Sequence, residues 1–372
     1  MQMEVLTRPE PAQPIEQRTR ELCDLAAAGL VQMFDQKDQL FCHTFTRTPQ
    51  GMERQGLSPR YTMMTLLGLH RYERSDHRPP VAIAPVLDKL CRDASRLNGA
   101  GDIGLLLWVC AELAPNRVRE VYENCKAGDA LSRFEDGRQG RTMEVAWYLT
   151  GLAACCSCGY SDLPGLMEQI AAARSILKSN CGPTGVYGHH SHGGFPRGYI
   201  RRRIGSFADQ VYPTIAMAGV SQALSDTDAL EMALRTARKM CELQGPMGEW
   251  SWHYDAPSGK VVNRYPVYSV HQHAMAPMML FAAGEAGGCD FNHAIVKGLD
   301  WIGGKNELHR NFIEPSLSLV WRCIYLPPKN GYVDAARRLF LSENGPTHMR
   351  LRIRYECRPY ELGWLLYAFA GR

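Results

Sequence analysis

Aromatic and imidazole side chains that could bind and transform a sugar are concentrated in one short stretch of this chain. The stretch contains Trp250, Trp252, His253, Tyr265, Tyr268, His271 and His273. Aromatic faces pack against the apolar faces of rings, and histidine or tyrosine exchanges protons near neutral pH when its surroundings adjust the pKa. We therefore expect this stretch to form part of a catalytic or binding site. The alternative is that the rings only fasten a long loop to the body of the protein.

Polar or charged residues also stand at the start of a series of long apolar segments. They are Arg60, Tyr61, Asp102, Glu144, Asp209, His271, Glu314, Arg358 and Glu361, with Tyr212 one turn inside the segment that Asp209 begins. Glu144 and Asp209 form the best pair for acid and base roles, because carboxylates about 5 Å apart suit a retaining glycosidase and a wider pair suits an inverting one. A carboxylate at a helix N-terminus also stabilises the helix dipole. That alternative explains one such residue better than it explains several.

Asp209 and His271 occupy matching places in two related repeats, and each is followed by glutamine. We expect the two side chains to face each other across the site and to divide the acid and base roles. A helix N-terminus disfavours the imidazolium, so His271 should be neutral near pH 7. A buried histidine bonded to a neighbouring hydroxyl is the alternative.

Clustered arginines indicate an anionic ligand, because guanidinium groups match carboxylate and phosphate geometry. They are Arg197, Arg201, Arg202, Arg203, Arg350, Arg352, Arg354 and Arg358. A uronic-acid polymer, a sugar nucleotide or a prenyl diphosphate would satisfy this set, and solvated surface charge is the alternative. His189, His190 and His192 lack an accompanying ligand spacing, so we predict no metal site.

The elements that must position these residues are helices of two kinds in alternation. Seven apolar segments recur at intervals of about 42 to 65 residues, after the polar starts named above. Amphipathic segments lie between them, at 15–36, 82–97, 115–127, 163–179, 227–243, 290–302 and 331–342. Such repeats stack because no unit buries its apolar face alone. We predict a closed ring whose inner helices all begin at one mouth.

Two long connections, at 180–205 and 244–267, resemble each other and are expected to carry function. The residues at 348–354 alternate with period two, which predicts a short strand with one basic face. No composition shift marks a linker, so residues 1–372 are expected to form one domain with an N-terminal extension at 1–14.

The composition excludes several classes of protein. Apolar residues make up 45% and charged residues 22% of the chain, as in globular domains, and the net charge of +4 is too small to indicate a nucleic-acid partner. No apolar run is long enough for a transmembrane helix, and the first residues do not read as a signal peptide. Thirteen cysteines, an odd number, favour reduced thiols and a cytoplasmic location.

The residues Gln244 to Trp250 spell Q-x-x-x-G-x-W, and Gly182 to Tyr187 form a degenerate copy. This motif resembles the repeat of the squalene-hopene cyclase and protein prenyltransferase superfamily, whose members are α/α toroids. The resemblance implies an all-α chain: an (α/α)6 or (α/α)7 toroid with a few short strands in long loops. Where such cyclases have an acidic D-x-D-D motif, this chain has only Asp226-Thr227-Asp228-Ala229 at the start of an outer helix, where Ser225 or Asp226 is typical of a helix N-cap.

Other enzymes that resemble an α/α toroid act on sugars, as glycoside hydrolases, uronate lyases, unsaturated glucuronyl hydrolases or sugar epimerases. The polar mouth is more similar to theirs than to aromatic cyclase pockets. We therefore predict an enzyme that acts without a cofactor on an acidic or phosphorylated glycan. In a lyase or epimerase His271 or Tyr268 would remove a ring proton, and in a hydrolase Glu144 and Asp209 would act. A terpenoid cyclase or prenyl-transferring enzyme, and a non-catalytic glycan- or peptide-binding toroid, are the alternatives; the oligomeric state is left open.

Overall fold

The computed structural model describes residues 14–134, 140–190, 202–327 and 350–372. Several predictions fall outside these residues. They concern the amphipathic helix at 331–342, the middle of the connection at 180–205, the start of the strand at 348–354, and Arg197, Arg201 and His192.

Within the described residues, six helices form the inner layer of a closed ring. They are Pro59–Arg74, Ala100–Leu113, Thr142–Ser157, Ala208–Leu224, Ala276–Gly287 with a π-helical turn at His271–Met275 before it, and Pro359–Phe369. Nearly every residue of Ala100–Leu113 is buried, which explains why these segments are apolar on all sides. The last helix returns to the first, where a Cβ added at Gly68 would lie 2.0 Å from the carbonyl oxygen of Gly363. Glycine is required at this contact for the ring to close.

Amphipathic helices form the outer layer, and each buries one face against the inner ring. They are Ile15–Met33, Ile83–Arg92, Val118–Asn124 with the short Ala130–Arg133, Leu166–Asn180, Thr227–Leu243 and Asn292–Ile302. Single 3₁₀ turns accompany them at Ala94–Arg96, Pro115–Arg117 and Ala127–Asp129. Asp226 accepts a hydrogen bond from the backbone N–H of Ala229 at 2.8 Å. This confirms the prediction that it caps an outer helix.

The described residues form six inner helices, and the seventh one expected after Glu314 is wrong. Ile313–Glu314 is a strand, Pro315–Leu317 is a 3₁₀ turn, and the apolar run continues as the strands Leu319–Val320 and Cys323–Tyr325. This run is rich in β-branched and aromatic residues, which favour a pleated surface, and a short apolar run does not by itself distinguish a buried strand from a helix. The described architecture is therefore an (α/α)6 ring.

Short strands form small antiparallel sheets between the helices. The first sheet contains Phe34–Asp35, Leu40–Thr48, Gly51–Leu57 and Glu356–Cys357. The second contains Ile204–Ser206, His253–Asp255 and Lys260–Asn263, and the third contains Val267–Tyr268, Cys323–Tyr325 and Arg352–Arg354. The fourth is the pair Ile313–Glu314 and Leu319–Val320. Cys323 lies opposite both Tyr268 and Arg354. The strand Arg352–Arg354 confirms the described part of the predicted basic strand, with both arginines exposed.

Within the described part of the chain, no helix combines the length and the apolar character that crossing a bilayer requires.

Candidate functional site

Polar residues at the starts of three consecutive inner helices meet in one ion-pair cluster. Arg60 Nε lies 2.6 Å from Asp102 Oδ1, and Arg60 NH1 lies 2.8 Å from Glu144 Oε1. A Cβ at Gly101 would lie 2.1 Å from a carboxylate oxygen of Glu144, so the glycine makes room for this carboxylate. Burial would lower the pKa of Arg60, but the hydrogen bonds and charges of the two carboxylates outweigh it and raise that pKa. The cluster lines a cavity of about 550 Å³ at the mouth of the ring.

A second cluster joins the start of the last inner helix to that of the first. Arg358 NH1 donates to the hydroxyl of Tyr61 at 2.8 Å, and Arg358 Nε donates to Glu356 at 2.9 Å. The ring of Tyr61 is stacked on His43, with centroids 5.1 Å apart, and packs against Tyr360. The mouth is therefore continuous across the point where the ring closes.

Buried charge supports this second cluster from below. Arg322 contacts Glu361, which is 1% exposed, and its Nε lies 3.3 Å from Glu356. Burial raises the pKa of Glu361, although the charges of Arg322 and Arg358 oppose this. Glu361 is too enclosed to touch a substrate, so its contribution is to hold Arg322 in place.

Asp209 is completely buried and holds His189 in a fixed orientation. Its Oδ2 lies 3.0 Å from His189 Nδ1 and accepts hydrogen bonds from the backbone N–H and the hydroxyl of Ser206. The His189 side chain is 22% exposed, and its Nε2 has no hydrogen-bond partner among the described residues. When Nδ1 donates to the carboxylate, Nε2 carries the lone pair of a base. The partly exposed imidazole, and not Asp209, is therefore the group that can reach a substrate.

The segment that carries His189 is pinned between two inner helices. The carbonyl of His189 accepts from the backbone N–H of Thr142 at 2.9 Å. The side chain of Gln210 accepts from the N–H of Tyr187 at 2.7 Å and donates to its carbonyl at 2.9 Å. These contacts place His189 at the mouth, between the starts of the helices that contain Glu144 and Asp209.

The two glutamines that follow Asp209 and His271 perform the same task in their repeats. Trp250 N–H donates to the side chain of Gln272 at 3.2 Å, just as Tyr187 N–H donates to Gln210. In each repeat, one residue donates its backbone N–H to the glutamine. The residue two positions after that donor contacts the residue immediately before the glutamine. In one repeat this gives the His189–Asp209 pair, and in the other Trp252 is stacked on His271 with centroids 5.9 Å apart and planes 7° apart.

Aromatic rings surround His271 and form one wall of the mouth. Tyr268 lies 5.3 Å from the imidazole, and Phe207 lies 4.5 Å from it on another side. Burial lowers the pKa of His271 to about 3, and the charge of Arg322 adds to this effect. The imidazole is therefore neutral near pH 7, as a base or a neutral hydrogen-bond donor must be.

Two residues expected to bind substrate, Trp250 and Tyr212, and one expected to be catalytic, His273, are enclosed in the structure. Trp250 is 0% exposed and packs between Phe207 and Gly298 of an outer helix, so it fastens the loop. Tyr212 is buried and accepts a hydrogen bond from Trp364 Nε1 at 3.0 Å. His273 is also 0% exposed, and both of its ring nitrogens lack a partner among the described residues. These side chains form the floor and frame of the mouth.

Two further expected residues lie elsewhere. The hydroxyl of Tyr265 contacts Glu307 at 3.2 Å, in a network that also includes Arg264 and Glu249. Glu314 accepts from the hydroxyl of Ser316 in the small sheet beside the first outer helix. Glu314 therefore does not begin an inner helix, because its segment is a strand.

The remaining predicted residues surround the mouth. Trp252 lies 5.1 Å from His253 and 4.9 Å from Tyr268, measured between ring centroids. Arg203 pairs with Asp255 at 3.1 Å. His43, Arg322 and Glu356 were not expected at the site, because they lie away from the helix starts: His43 and Glu356 are in strands, and Arg322 is between two strands. His189 was expected only as a possible metal ligand, although its position two residues after Tyr187 matches that of Trp252 after Trp250.

No protein family model matches the chain, and no curated protein matches it in sequence. Solved structures match its fold over almost the whole length. A sugar epimerase from a ruminal bacterium is 10% identical, with 95% of this chain and 98% of that chain covered and a TM-score of 0.62. A possible member of the GH105 family from Salmonella enterica is 11% identical, with coverage of 100% and 98% and a TM-score of 0.60.

A third similar structure is an unsaturated glucuronyl hydrolase from Bacillus sp. GL1, responsible for the degradation of glycosaminoglycan. It is 13% identical, with 95% of this chain and 96% of that chain covered and a TM-score of 0.58. Likeness at these identities establishes the fold and confirms the predicted α/α toroid. The resemblance to terpenoid cyclases and the cytoplasmic location stay predictions.

Proposed function

We propose that this chain is a carbohydrate-active enzyme that transfers a proton on an acidic sugar, as an epimerase or lyase does. The observation that carries the proposal is His189, held by the buried Asp209 at the mouth of a toroid whose structural relatives include a sugar epimerase and a glucuronyl hydrolase. A histidine oriented by a carboxylate is a general base with a defined tautomer. His271, neutral and 2% exposed, supports the aromatic wall from behind Trp252, and the partly exposed Tyr268 beside it is the second proton-exchanging group.

The carboxylates of the mouth support histidine chemistry over a hydrolase pair. Glu144 and Asp102 are both bonded to Arg60, and Asp209 is bonded to His189 and Ser206. A retaining or inverting hydrolase needs one carboxyl group protonated and a second one free to attack or to activate water. These contacts already occupy carboxylate lone pairs, so the three carboxylates suit positioning.

The charge of the substrate is proposed from the arginines beside the aromatic wall. Arg354 and Tyr268 lie on strands that both pair with Cys323, one on each side. Two strand spacings separate them by about 10 Å. Arg352 and Arg354 are exposed, so a sugar stacked on Trp252 would present a carboxylate to this basic edge. Once its charge is neutralised, such a carboxylate raises the acidity of the neighbouring C–H bond. A histidine base can then remove the proton from that carbon.

The test uses uronic acids and neutral sugars, both as monosaccharides and as saturated or unsaturated uronyl oligosaccharides, in D2O and in H2 18O. An epimerase places deuterium on the inverted carbon, and a lyase gives a product with an absorbing C=C bond. On a saturated uronyl oligosaccharide, a hydrolase instead places 18O at the anomeric carbon and no deuterium on carbon, and that result would overturn the proton-transfer proposal.

Two variants assign the histidine. His189→Gln should lower kcat at least about a hundredfold with an unchanged thermal midpoint, while His293→Gln, on the exposed face of an outer helix, should leave kcat unchanged. Wild-type turnover in His189→Gln would remove this residue from the mechanism.

A further inference from the structure

A second cavity lies at the end of the ring opposite the mouth. Its volume is about 800 Å³, against about 550 Å³ at the mouth, and all six inner helices contribute to it from their last turns. Arg60 and Arg74 stand at the two ends of the helix Pro59–Arg74, about 21 Å apart along its axis. The helix residues between the two arginines are mostly buried in the packed core of the ring. The two cavities are therefore separate.

Small side chains at the last turns of the inner helices leave this cavity open. They are Ala111, Ala153, Ala154, Ala218, Gly219 and Ala282. Gly219 differs from the other glycines of the inner ring in what surrounds it. A Cβ at Gly68, Gly104 or Gly151 would lie within 2.2 Å of a neighbouring helix backbone, whereas at Gly219 the nearest atom is 3.8 Å away.

Helix packing does not require a glycine at position 219, and glycine weakens a helix interior relative to alanine. Its backbone does not need a positive φ either. What the absent side chain does provide is space inside the cavity. Neither packing nor backbone geometry explains the glycine at position 219, whereas a requirement for an open cavity does.

A carboxylate on the cavity wall is held in place by two other side chains. Oε1 of Glu112 accepts hydrogen bonds from Trp108 Nε1 at 2.6 Å and from the hydroxyl of Tyr367 at 3.0 Å. Within the described part of the chain, Oε2 of Glu112 has no hydrogen-bond partner. A fixed carboxylate oxygen at the wall of a cavity accepts hydrogen bonds from hydroxyl groups without paying the entropy of ordering itself.

Fixed positive charge stands on the adjacent helix. The guanidinium of Arg71 lies over the ring of Tyr367, 3.5 Å from its centroid, and donates to the carbonyl of that residue at 2.8 Å. Arg74, one turn further along, has no ion pair among the described residues, although it lines the same cavity. Arg372, the other cation at the rim, is already paired with Glu285. The unused donors are thus those of Arg71 and Arg74.

We infer that this cavity is a second ligand site, and that it takes a small polyhydroxylated carboxylate of the sugar-acid class. The ligand carboxylate binds Arg71 and Arg74, and a hydroxyl group donates to Oε2 of Glu112. A volume of about 800 Å³ accommodates one or two sugar units. The inference does not depend on the reaction at the mouth, because no residue is shared between the two places.

The test is calorimetric titration of the full chain with glucuronate, with glucose as the uncharged control and acetate as the control without hydroxyl groups. Gly219→Met fills the cavity from a position that has room for a side chain, and Arg74→Gln removes a cation from an exposed position. Each should weaken glucuronate binding at least about tenfold with an unchanged thermal midpoint. His189→Gln, at the mouth, should leave this binding unchanged.

Glucuronate should bind more tightly than glucose or acetate in the wild type. Glucuronate binding with unchanged affinity and stoichiometry in both cavity variants, or binding that disappears in His189→Gln, would place the ligand at the mouth and overturn the inference. Equal binding of acetate and glucuronate would contradict the role given to Glu112. Loss of activity in His189→Gln together with unchanged glucuronate binding would support both proposals separately.

Discussion

Lowering the pH should destabilise the protein through two buried histidines of the π-helical turn. His271 and His273 are 2% and 0% exposed, and burial lowers the pKa of each to about 3. For His271 the charges of Arg322 and His273 act in the same direction. In the unfolded chain both return to about 6.5. Between these values the unfolded chain binds protons that the folded chain does not, so the free energy of unfolding falls as the pH falls.

The size of the effect follows from the pKa of the unfolded chain. Each histidine costs about 1.4 kcal/mol per pH unit once the pH is well below 6.5. Integration from pH 7.5 to pH 5 gives about 2 kcal/mol for one histidine and about 4 kcal/mol for the pair. Both endpoints lie above the folded pKa, so its precise value does not alter the result.

Urea unfolding at pH 7.5 and pH 5 measures this loss. Other groups also titrate in this interval, so the prediction concerns the difference between the wild type and His273→Met, whose side chain does not titrate. The wild type should lose about 2 kcal/mol more than the variant between the two pH values. Equal losses would show that His273 is protonated in the folded protein, or exposed, and would refute the burial argument.

Two further predictions concern stability. Arg264→Met leaves two buried carboxylates without their shared guanidinium, which lies 3.2 Å from one of them; because Arg264 is partly exposed, we expect a loss of about 2–3 kcal/mol in urea unfolding. The loss should shrink at acidic pH, since burial raises the pKa of Glu249, and a loss independent of pH would contradict this. Gly68→Ala should cost about 3 kcal/mol, because its Cβ would lie 2.0 Å from a carbonyl oxygen. Gly219→Ala, with room for the Cβ, should instead raise the thermal midpoint, and similar effects of the two substitutions would refute the packing argument.

The predicted convergence of helix starts holds for three of them, since Arg60, Asp102 and Glu144 line one cavity, whereas Asp209 and His271 are buried outside its lining. Arg60, Asp102 and Glu144 are bonded to one another although 42 and 84 residues separate them along the chain. Alternation of all-apolar and amphipathic helices forces the inner ones to run parallel, so the residues at their starts meet. Glu314 does not join them, because the apolar run that follows it forms strands and not an inner helix.

The roles within the pairs could not be read from the sequence. Asp209 and His271 were expected to face each other, whereas in the structure Asp209 holds His189 and His271 is stacked on Trp252. The repeat similarity was nevertheless informative, since Gln210 and Gln272 anchor equivalent backbones. Which side chain fills the space beside each helix start depends on how the loop before it folds.

By itself the sequence determined the repeat, the layering of the helices and the end of the ring at which polar groups collect. These follow from periodicity, since apolar positions along a helix dictate which faces must be buried. Only the tertiary structure decided that Trp250 and His273 are enclosed, that a partly exposed His189 is held by Asp209, and that a second cavity is lined by Gly219. Burial and pairing of a side chain depend on atoms distant in the chain, whereas periodicity is a local property of the backbone.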